Sequence, residues 1–401
     1  MVCGYFPKEV WNMNVIDLRD ELYRRRIEII EIDGGCIYYA EELTSDDEAR
    51  LYIYRYDAER EEERVLSFFT LEDTDCIEHF YSCGGSIMIL FESRDSKAWL
   101  IKLDKRSGAE LIRKKIALIG RYFDCVPISE NDLIIYTKAD DENRELFNRC
   151  LETTNSDTIA NLYDMEKGYR YFIKDFKTAA LIENAMHSFK TAKGEEKLLL
   201  CDPYCGETEK QEIVRALAGH FTLDGDELRD NIWLISKSKL LSALKSGAEK
   251  IPLRRAASAG VEGTVRFECI SGENIIFRAK VYKTGLEQFF AMSAANGSVS
   301  PVKTVRERGD GERYFTDVCG GSIYYMTELD GRTRLEGEVG SSARMTYPNK
   351  AGRMISCIDD RYIVAEKDSD EPTAAIYDSR LHITDTFQAR VMVKGATVVL
   401  Y

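Results

Sequence analysis

One phrase occurs three times in this chain, as "EIDGGCIYYAEEL" (Glu31–Leu43), "YSCGGSIMILFES" (Tyr81–Ser93) and "DVCGGSIYYMTEL" (Asp317–Leu329). In each copy a short strand-like run precedes Gly-Gly and an apolar, aromatic-rich run follows it. A glycine pair between two such runs predicts a tight β-hairpin, because glycine reaches positive φ without steric cost. The fold of this chain must therefore repeat a hairpin.

Five further segments have the same pattern in a weaker form, so the sequence predicts eight hairpins, with turns near Gly34, Gly84, Glu130, Gly194, Gly272, Gly320, Asp359 and Gly395. Most of these turns lie 36 to 50 residues apart, which is the length that a four-stranded propeller blade occupies. A second pair of strands is readable after several hairpins, for example in "KAWLIKLDKRSGAELIRKKIAL". Four strands in hairpin order make one blade.

The two ends of the chain each supply part of one further blade. After Gly395 only "ATVVLY" remains, enough for one strand, while Asn12–Arg26 resembles the third and fourth strands of the other units. We therefore predict an all-β, eight-bladed propeller of four-stranded antiparallel blades, with seven blades as the alternative. The N- and C-terminal strands would share one blade and leave no free sheet edge.

The "IYY" hairpins and the "WLIKLDKRSGAELIR" hairpin resemble repeats of the bacterial β-propeller superfamily, in particular YVTN-like and quinoprotein-like proteins. This resemblance covers nearly the whole chain and implies a single propeller domain over residues 1–401. The Trp-Asp dipeptide of WD40 repeats and the closing Trp of quinone-dependent dehydrogenases are both missing, so the resemblance carries over no functional residue.

Two consecutive units are too long, and their extra residues have helical periodicity. We predict helical insertions at about 140–157 and 206–220, both after the second strand of their blade, and a third at about 236–247 on the opposite side. The first two would form a cap over one face. A partner of the protein is expected to meet that face, and the residues to probe first are Tyr204, His220 and Phe221.

Composition excludes several classes of function. A net charge of −14 and a pI near 5.1 disfavour nucleic acid as a partner. We expect neither an export signal nor a membrane segment. Eleven cysteines, mostly single within apolar runs, are typical of reduced thiols in a cytoplasmic protein.

The sequence offers two metal sites for consideration. Cys201, Cys205, His187 and His220 could in principle bind zinc, but their spacing does not match the usual zinc motifs. Carboxylates expected near the innermost strands could ligate a divalent cation at the channel mouth, namely Asp75, Glu78, Asp124, Glu183, Glu268 and Asp317, together with the amide of Asn184. We predict no metal and no cofactor.

Two functions remain open. We favour a binding or scaffolding module for a protein or small-molecule partner, because the chain contains no nucleophile motif and its four histidines are scattered. The alternative is a metal-dependent hydrolase or lyase that acts at the channel mouth.

Overall fold

The chain folds almost entirely as β-strands. The computed structural model describes residues 14–19, 27–44, 49–71, 76–93, 97–139, 144–145, 148, 158–191, 193–202, 230–260, 262–271, 274–281, 283–284, 286–306, 313–319, 322–329, 332–338, 345–346, 352–358, 361–366, 373–378, 382–394 and 397–401. The predicted insertion at 206–220 lies outside these residues, as does nearly all of the insertion at 140–157.

Seven sheets contain four antiparallel strands each, in sequence order. The first strand, β1 (Asn14–Asp17), pairs with the last strand of the chain, so sheet 1 consists of β2 (Ile27–Asp33), β3 (Cys36–Thr44), β4 (Ala49–Asp57) and β5 (Glu62–Leu71). Sheet 2 consists of β6 (Cys76–Cys83), β7 (Ser86–Ser93), β8 (Lys97–Asp104) and β9 (Glu110–Ala117). Sheet 3 consists of β10 (Arg121–Pro127), β11 (Asp132–Lys138), β12 (Thr158–Asp164) and β13 (Tyr169–Phe172).

The later sheets follow the same order. Sheet 4 consists of β14 (Met186–Lys190), β15 (Glu196–Asp202), β16 (Asp230–Ser236) and β17 (Arg254–Ala259). Sheet 5 consists of β18 (Gly263–Ser271), β19 (Asn274–Val281), β20 (Leu286–Ser293) and β21 (Val299–Arg306). Sheet 6 consists of β22 (Arg313–Cys319), β23 (Ser322–Leu329), β24 (Arg332–Glu338) and β25 (Met345–Thr346). Sheet 7 consists of β26 (Gly352–Ile358), β27 (Arg361–Glu366), β28 (Thr373–Tyr377) and β29 (Ile383–Gln388).

The last sheet, the closing sheet, joins the two ends of the chain. Its order is β30 (Val391–Lys394), β31 (Thr397–Leu400) and β1 (Asn14–Asp17). First strands of neighbouring sheets contact one another, as β2 with β6, β6 with β10 and β26 with β30, so the first strands are innermost. The protein is an all-β propeller of four-stranded antiparallel blades with few helices. All eight predicted hairpins are present.

The closing sheet departs from the prediction. Its strand β1 runs parallel to β31, with Asn14 opposite Thr397 and Asp17 opposite Leu400, and it has three described strands. The prediction of eight four-stranded antiparallel blades, with seven as the alternative, is therefore wrong. The physical reason is the path of the chain: a parallel β1 ends on the side of the ring where β2 begins, and only residues 18–26 separate the two.

Where the structure describes their side chains, the second strands of the sheets are largely buried on both faces, and their alternate side chains pack in two different cores. On β7, Ile87, Ile89 and Phe91 pack against sheet 1, whereas Met88 and Leu90 pack against sheet 3. This division follows from the two-residue period of a strand. Stability therefore comes mainly from apolar burial between neighbouring sheets.

Each sheet connects its strands on two sides of the ring. We call the side with the first-to-second and third-to-fourth connections the turn side, and the other side the cap side. Helix α1 (Phe176–Ala185) joins β13 to β14 on the cap side. Helix α2 (Lys237–Lys245) joins β16 to β17 on the turn side and lies within the predicted insertion at 236–247.

Charged groups join neighbouring sheets on the turn side. Glu31 of β2 accepts hydrogen bonds from Ser82 Oγ at 2.6 Å and from the buried Lys105 ammonium, and pairs with Lys394 of β30 at 3.4 Å. Burial would raise the pKa of Glu31, but the hydrogen bonds from Lys105 and Ser82 outweigh it and lower the pKa. One carboxylate thus links the closing sheet, sheet 1 and sheet 2.

Lys245 makes a similar link from α2 to sheet 3. Its Nζ lies 2.7 Å from Asp132 Oδ1 and 2.8 Å from Asp164 Oδ2, and both aspartate side chains are buried. For Asp164 as well, burial opposes ionisation, yet the hydrogen bonds from Lys245 and from the backbone of Lys167 lower the pKa. The turn side is therefore tied together by ion pairs between sheets.

The turn at Gly108 fits closely against the neighbouring sheet, and this contact can be tested. Gly108 has φ +75°, and a Cβ there would overlap the backbone oxygen of Leu66 in β5. We expect Gly108→Ala to lower the free energy of unfolding by about 2 kcal/mol or more, from the sum of backbone strain and overlap. Gly194→Ala is the matched control, because Gly194 has φ +76° with no atom within 4 Å of the added Cβ. Equal losses in urea unfolding of the two variants would contradict the contact.

Ring closure can be tested at β31. Val398 and Leu400 pack towards sheet 7 and Val399 towards sheet 1, all of them buried. We expect deletion of residues 396–401 to lower the thermal midpoint of the whole protein, because β1 and β30 then lose their shared neighbour. The single substitution Val399→Asp should also destabilise, by about 3 kcal/mol or more, because it buries an unpaired charge. An unchanged thermal midpoint in both variants would refute closure by β31.

Candidate functional site

A histidine and an aspartate meet between the innermost strands of sheets 2 and 3. The His79 Nε2 atom on β6 lies 2.9 Å from Asp124 Oδ1 on β10, and the two side chains are 40% and 34% exposed. Asp124 Oδ1 also accepts a hydrogen bond from the backbone nitrogen of Cys125 at 2.7 Å. The His79 ring meets Tyr122 edge-on, with centroids 6.2 Å apart. The pair is therefore held in place while it stays open to solvent.

Two β-bulges accompany this pair. The pairing of β6 with β7 skips Glu78, between Ile77 and His79, and the pairing of β10 with β11 skips Phe123, between Tyr122 and Asp124. A bulge changes the direction of the side chains next to it, and the first strands of sheets 1, 5 and 7 contain one as well, so the bulge is a feature of the repeat. Sequence spacing does not reveal these bulges, which is why His79 was counted among the scattered histidines.

Helix α1 adds a second carboxyl group to the site. Burial raises the pKa of Glu183, the negative charge of Asp124 raises it further, and Lys138 partly opposes both effects. Lys138 lies at the end of β11, with its Nζ 3.5 Å from the ring centroid of Phe123, which is 42% exposed. The site thus combines a His–Asp pair, a glutamate that takes up a proton readily and an ammonium group on an aromatic ring.

The sequence of α1 explains why the helix forms there. Asp175 caps its first turn, accepting hydrogen bonds from Thr178 N at 3.1 Å and Thr178 Oγ1 at 3.0 Å. Ala179 and Ile182 are buried on one face, and the Tyr136 hydroxyl donates to Ala179 O at 2.8 Å. The helix was not predicted, although the capping aspartate followed by "TAALIENA" was the available signal.

The predicted channel-mouth carboxylates divide into three groups. Asp124 and Glu183 act on each other, but Glu183 and Asn184 lie on α1 rather than on a strand. The Glu268 carboxylate forms an ion pair with Arg278, whose Nε lies 2.9 Å away. Asp75 and the side chains of Glu78 and Asp317 lie outside the described residues. Within the described part of the chain, no group of three or more His, Cys, Asp or Glu side chains could hold a metal ion.

The other predicted site residues are described only in part. Tyr204, His220 and Phe221 lie outside the described residues, as does Cys205. The ring centroid of His187 lies 4.3 Å from that of Phe267, and partial burial lowers the pKa of His187. Burial also raises the pKa of Cys201 to about 12.

Comparisons with known proteins do not assign this chain to a family. No protein-family model matches the chain, and no curated protein is similar to it in sequence. None of the helices in the described residues has the length and apolar character needed to cross a membrane.

Solved structures with a similar fold include several propellers from proteases. The β-propeller domain of the Trilobed protease from Pyrococcus furiosus is 10% identical, with 90% of this chain and 95% of that chain covered and a TM-score of 0.42. A structure from an analysis of two prolyl endopeptidases is 11% identical over 92% of this chain, with a TM-score of 0.48. Prolyl oligopeptidase B from Galerina marginata is 9% identical over 90% of this chain, also with a TM-score of 0.48. This chain spans about half the length of these two peptidases, 52% and 51%. At such distances we infer no activity from them.

The raised pKa of Glu183 predicts that the stability of the protein depends on pH. Its pKa is raised in the folded protein, so its contribution to stability is present below the ordinary glutamate pKa and is lost as the pH rises through the folded value. We therefore expect Glu183→Gln to have a higher thermal midpoint than the wild type at neutral pH, with the difference shrinking towards about pH 4. Glu166→Gln, an exposed position in the β12–β13 turn, is the control. A wild-type pH profile in Glu183→Gln would contradict the assignment.

Proposed function

We propose that the protein is a binding module that meets a protein or small-molecule partner on the cap side, over sheets 3 and 4. Two long connections leave the ring on this side. One leaves β11 after Lys138 and returns at its register partner Thr158, and the other leaves β15 at Asp202 and returns next to its partner Asn231. Partner binding commonly uses loops held on a rigid frame.

One observation carries this proposal: α1 contacts the bases of both connections. Lys177 in its first turn lies 3.6 Å from Asp202, and Glu183 in its last turn interacts with Lys138. The negative charge of Asp124, which is bonded to His79, also raises the pKa of Glu183 in this last turn. The long connections, the helix and the candidate site are therefore parts of one surface. Tyr204, His220 and Phe221, which belong to the second connection by sequence, remain the proposed contact residues.

A metal-dependent hydrolase or lyase has less support. Glu268 is neutralised by Arg278, and Glu183 belongs to a helix that interrupts the expected row of inner-strand carboxylates. The assignment to YVTN-like or quinoprotein-like propellers, the single domain over 1–401 and the cytoplasmic location stay predictions.

Replacement of the two connections tests the proposal. Residues 140–157 and 206–229 are exchanged for short Gly-containing turns, and Asp230 is kept because its carboxylate accepts hydrogen bonds from Thr264 Oγ1 and Val265 N in sheet 5. We expect the variant to fold and to lose molecules that co-purify with the intact chain, as detected by native mass spectrometry. Tyr204→Ala, His220→Ala and Phe221→Ala should weaken the same association. Arg106→Ala and Lys167→Ala, exposed on the turn side, should not. A folded variant that retains every bound molecule would show that the connections are only a cover.

A further inference from the structure

The two faces of β5 are covered to different extents. On the face towards sheet 2, Phe69 and Leu71 are buried, and the guanidinium group of Arg113 on β9 lies over the Phe69 ring, 5.4 Å from its centroid. On the opposite face, Val65 and Phe68 are 48% and 58% exposed. The fourth strand of sheet 2 therefore covers one face of β5, while two large apolar side chains stay exposed on the other.

The exposed pair belongs to the face of sheet 1 that packs on the closing sheet. From the second strand outward, this face carries Tyr39, then Tyr54 and Tyr52, and then Val65 and Phe68. Tyr39 is fully buried in the cluster that includes β31, and the next two tyrosines are half-buried. The rings of Tyr52 and Phe68 stack with their centroids 5.9 Å apart. Burial on this face thus decreases from the second strand to the fourth.

The closing sheet is too narrow to cover the outer part of this face. Its described strands are β30, β31 and β1, whereas each of the other seven sheets has four strands. Strand β1 holds the third position, with Ile16 in the same cluster as Tyr39, and no described strand pairs with its outer edge. A strand in the fourth position would lie against Val65 and Phe68, as β9 lies against Phe69 on the other face. It would also pair with the edge of β1.

Residues 1–13 are the part of the chain that can reach this position. Because β1 runs parallel to β31, it begins on the turn side, and residues 1–13 lead into it there. Residues 18–26 follow β1 and have to return to β2, the innermost strand of sheet 1. A tight reversal takes about two to five residues, and β1 itself has 4 residues. Residues 1–13 are therefore long enough for a reversal and a strand that matches β1.

The sequence of this segment suits a strand that packs on aromatic rings. The segment "MVCGYFPKEVWNM" contains Tyr5, Phe6, Val10 and Trp11, and aromatic and β-branched residues favour strands. Pro7 stands between the two pairs, and proline is favoured at the second position of a tight turn. Contacts between aromatic rings are favourable beyond the burial of their area. The segment thus combines a turn residue with side chains that match the exposed face.

We propose that residues 1–13 form the fourth strand of the closing sheet, where they pair antiparallel with the outer edge of β1 and cover Tyr52, Val65 and Phe68 of sheet 1. The docking surface is the outer part of this face of sheet 1, and its occupant is the N-terminal segment of the same chain. This inference is independent of the binding function proposed for the cap side.

Photo-cross-linking of the intact protein tests the contact. A benzophenone amino acid replaces Phe68, and in the control it replaces Leu111 of β9, which is 53% exposed. After irradiation and proteolysis, we expect cross-links from position 68 to residues 1–13 of the same chain, and none from position 111 to that segment. Cross-links from position 68 only to other parts of the chain, to a second copy or to a different protein would overturn the proposal, as would the absence of any cross-link.

Thermal unfolding gives a second measurement. In a full-length serine variant, serine replaces the four large residues of the segment, Tyr5, Phe6, Val10 and Trp11. We expect Phe68→Ala to lower the thermal midpoint of the wild-type chain by about 1 °C or more. In the serine variant the same substitution should lower it by about half as much or less, because the partners of Phe68 are gone. Leu111→Ala, the matched control, should have equal effects in both chains. Equal effects of Phe68→Ala in both would contradict the contact.

Discussion

The burial of the second strand of a sheet between its two neighbouring sheets, as the structure describes it for β7, is the constraint on which the rest of this molecule depends. A strand such as β7 has no polar face, because one set of alternate side chains packs on sheet 1 and the other set on sheet 3. A sheet of this kind would expose an apolar face if either neighbour were missing. The series of sheets therefore has to end in something that covers both its first and its last member. The closing sheet does this, with Val399 facing sheet 1 and Val398 and Leu400 facing sheet 7.

Polar contacts join neighbouring sheets on both sides of the ring. On the turn side, Glu31 and Lys245 link neighbouring sheets through ion pairs with largely buried partners. Breaking such a pair is costly because it leaves a buried charge without a partner. Those turns cannot vary freely. On the cap side, the buried Asp230 carboxylate, where the second long connection returns to β16, accepts hydrogen bonds from Thr264 Oγ1 and Val265 N of sheet 5, so this end of the connection is constrained as well.

The sequence was sufficient for the hairpins and insufficient for three features. Glycine pairs and alternating runs mark hairpins because both arise from local geometry, and all eight were found. The direction of β1 has no local signal, since a short apolar strand pairs equally well in either direction. The α1 segment was missed because the run after Asp175 is apolar enough to be read as a strand. The pairing of His79 with Asp124 depends on two bulges and on the distance between sheets, and neither can be read from spacing. Asp124 and Glu183 were both named as candidates, but for metal binding with other carboxylates that the described structure does not bring to them.

Helix α1 is the place where the regular repeat and the candidate site meet. The strand before it, β13, is the fourth strand of sheet 3 and has only four residues. The chain therefore leaves sheet 3 early and continues as helix α1 to β14, the first strand of sheet 4. The side chains of Ala179, Leu181 and Ile182 then fill the space between sheets 3 and 4 together with Leu198 and Leu200 of β15. Because this helix packs through its middle and begins at a strong cap, its last turn can carry an unfavourable charge without loss of the fold. That turn carries Glu183, whose pKa is raised by burial and by the Asp124 carboxylate and is lowered in part by Lys138 at the base of the first connection.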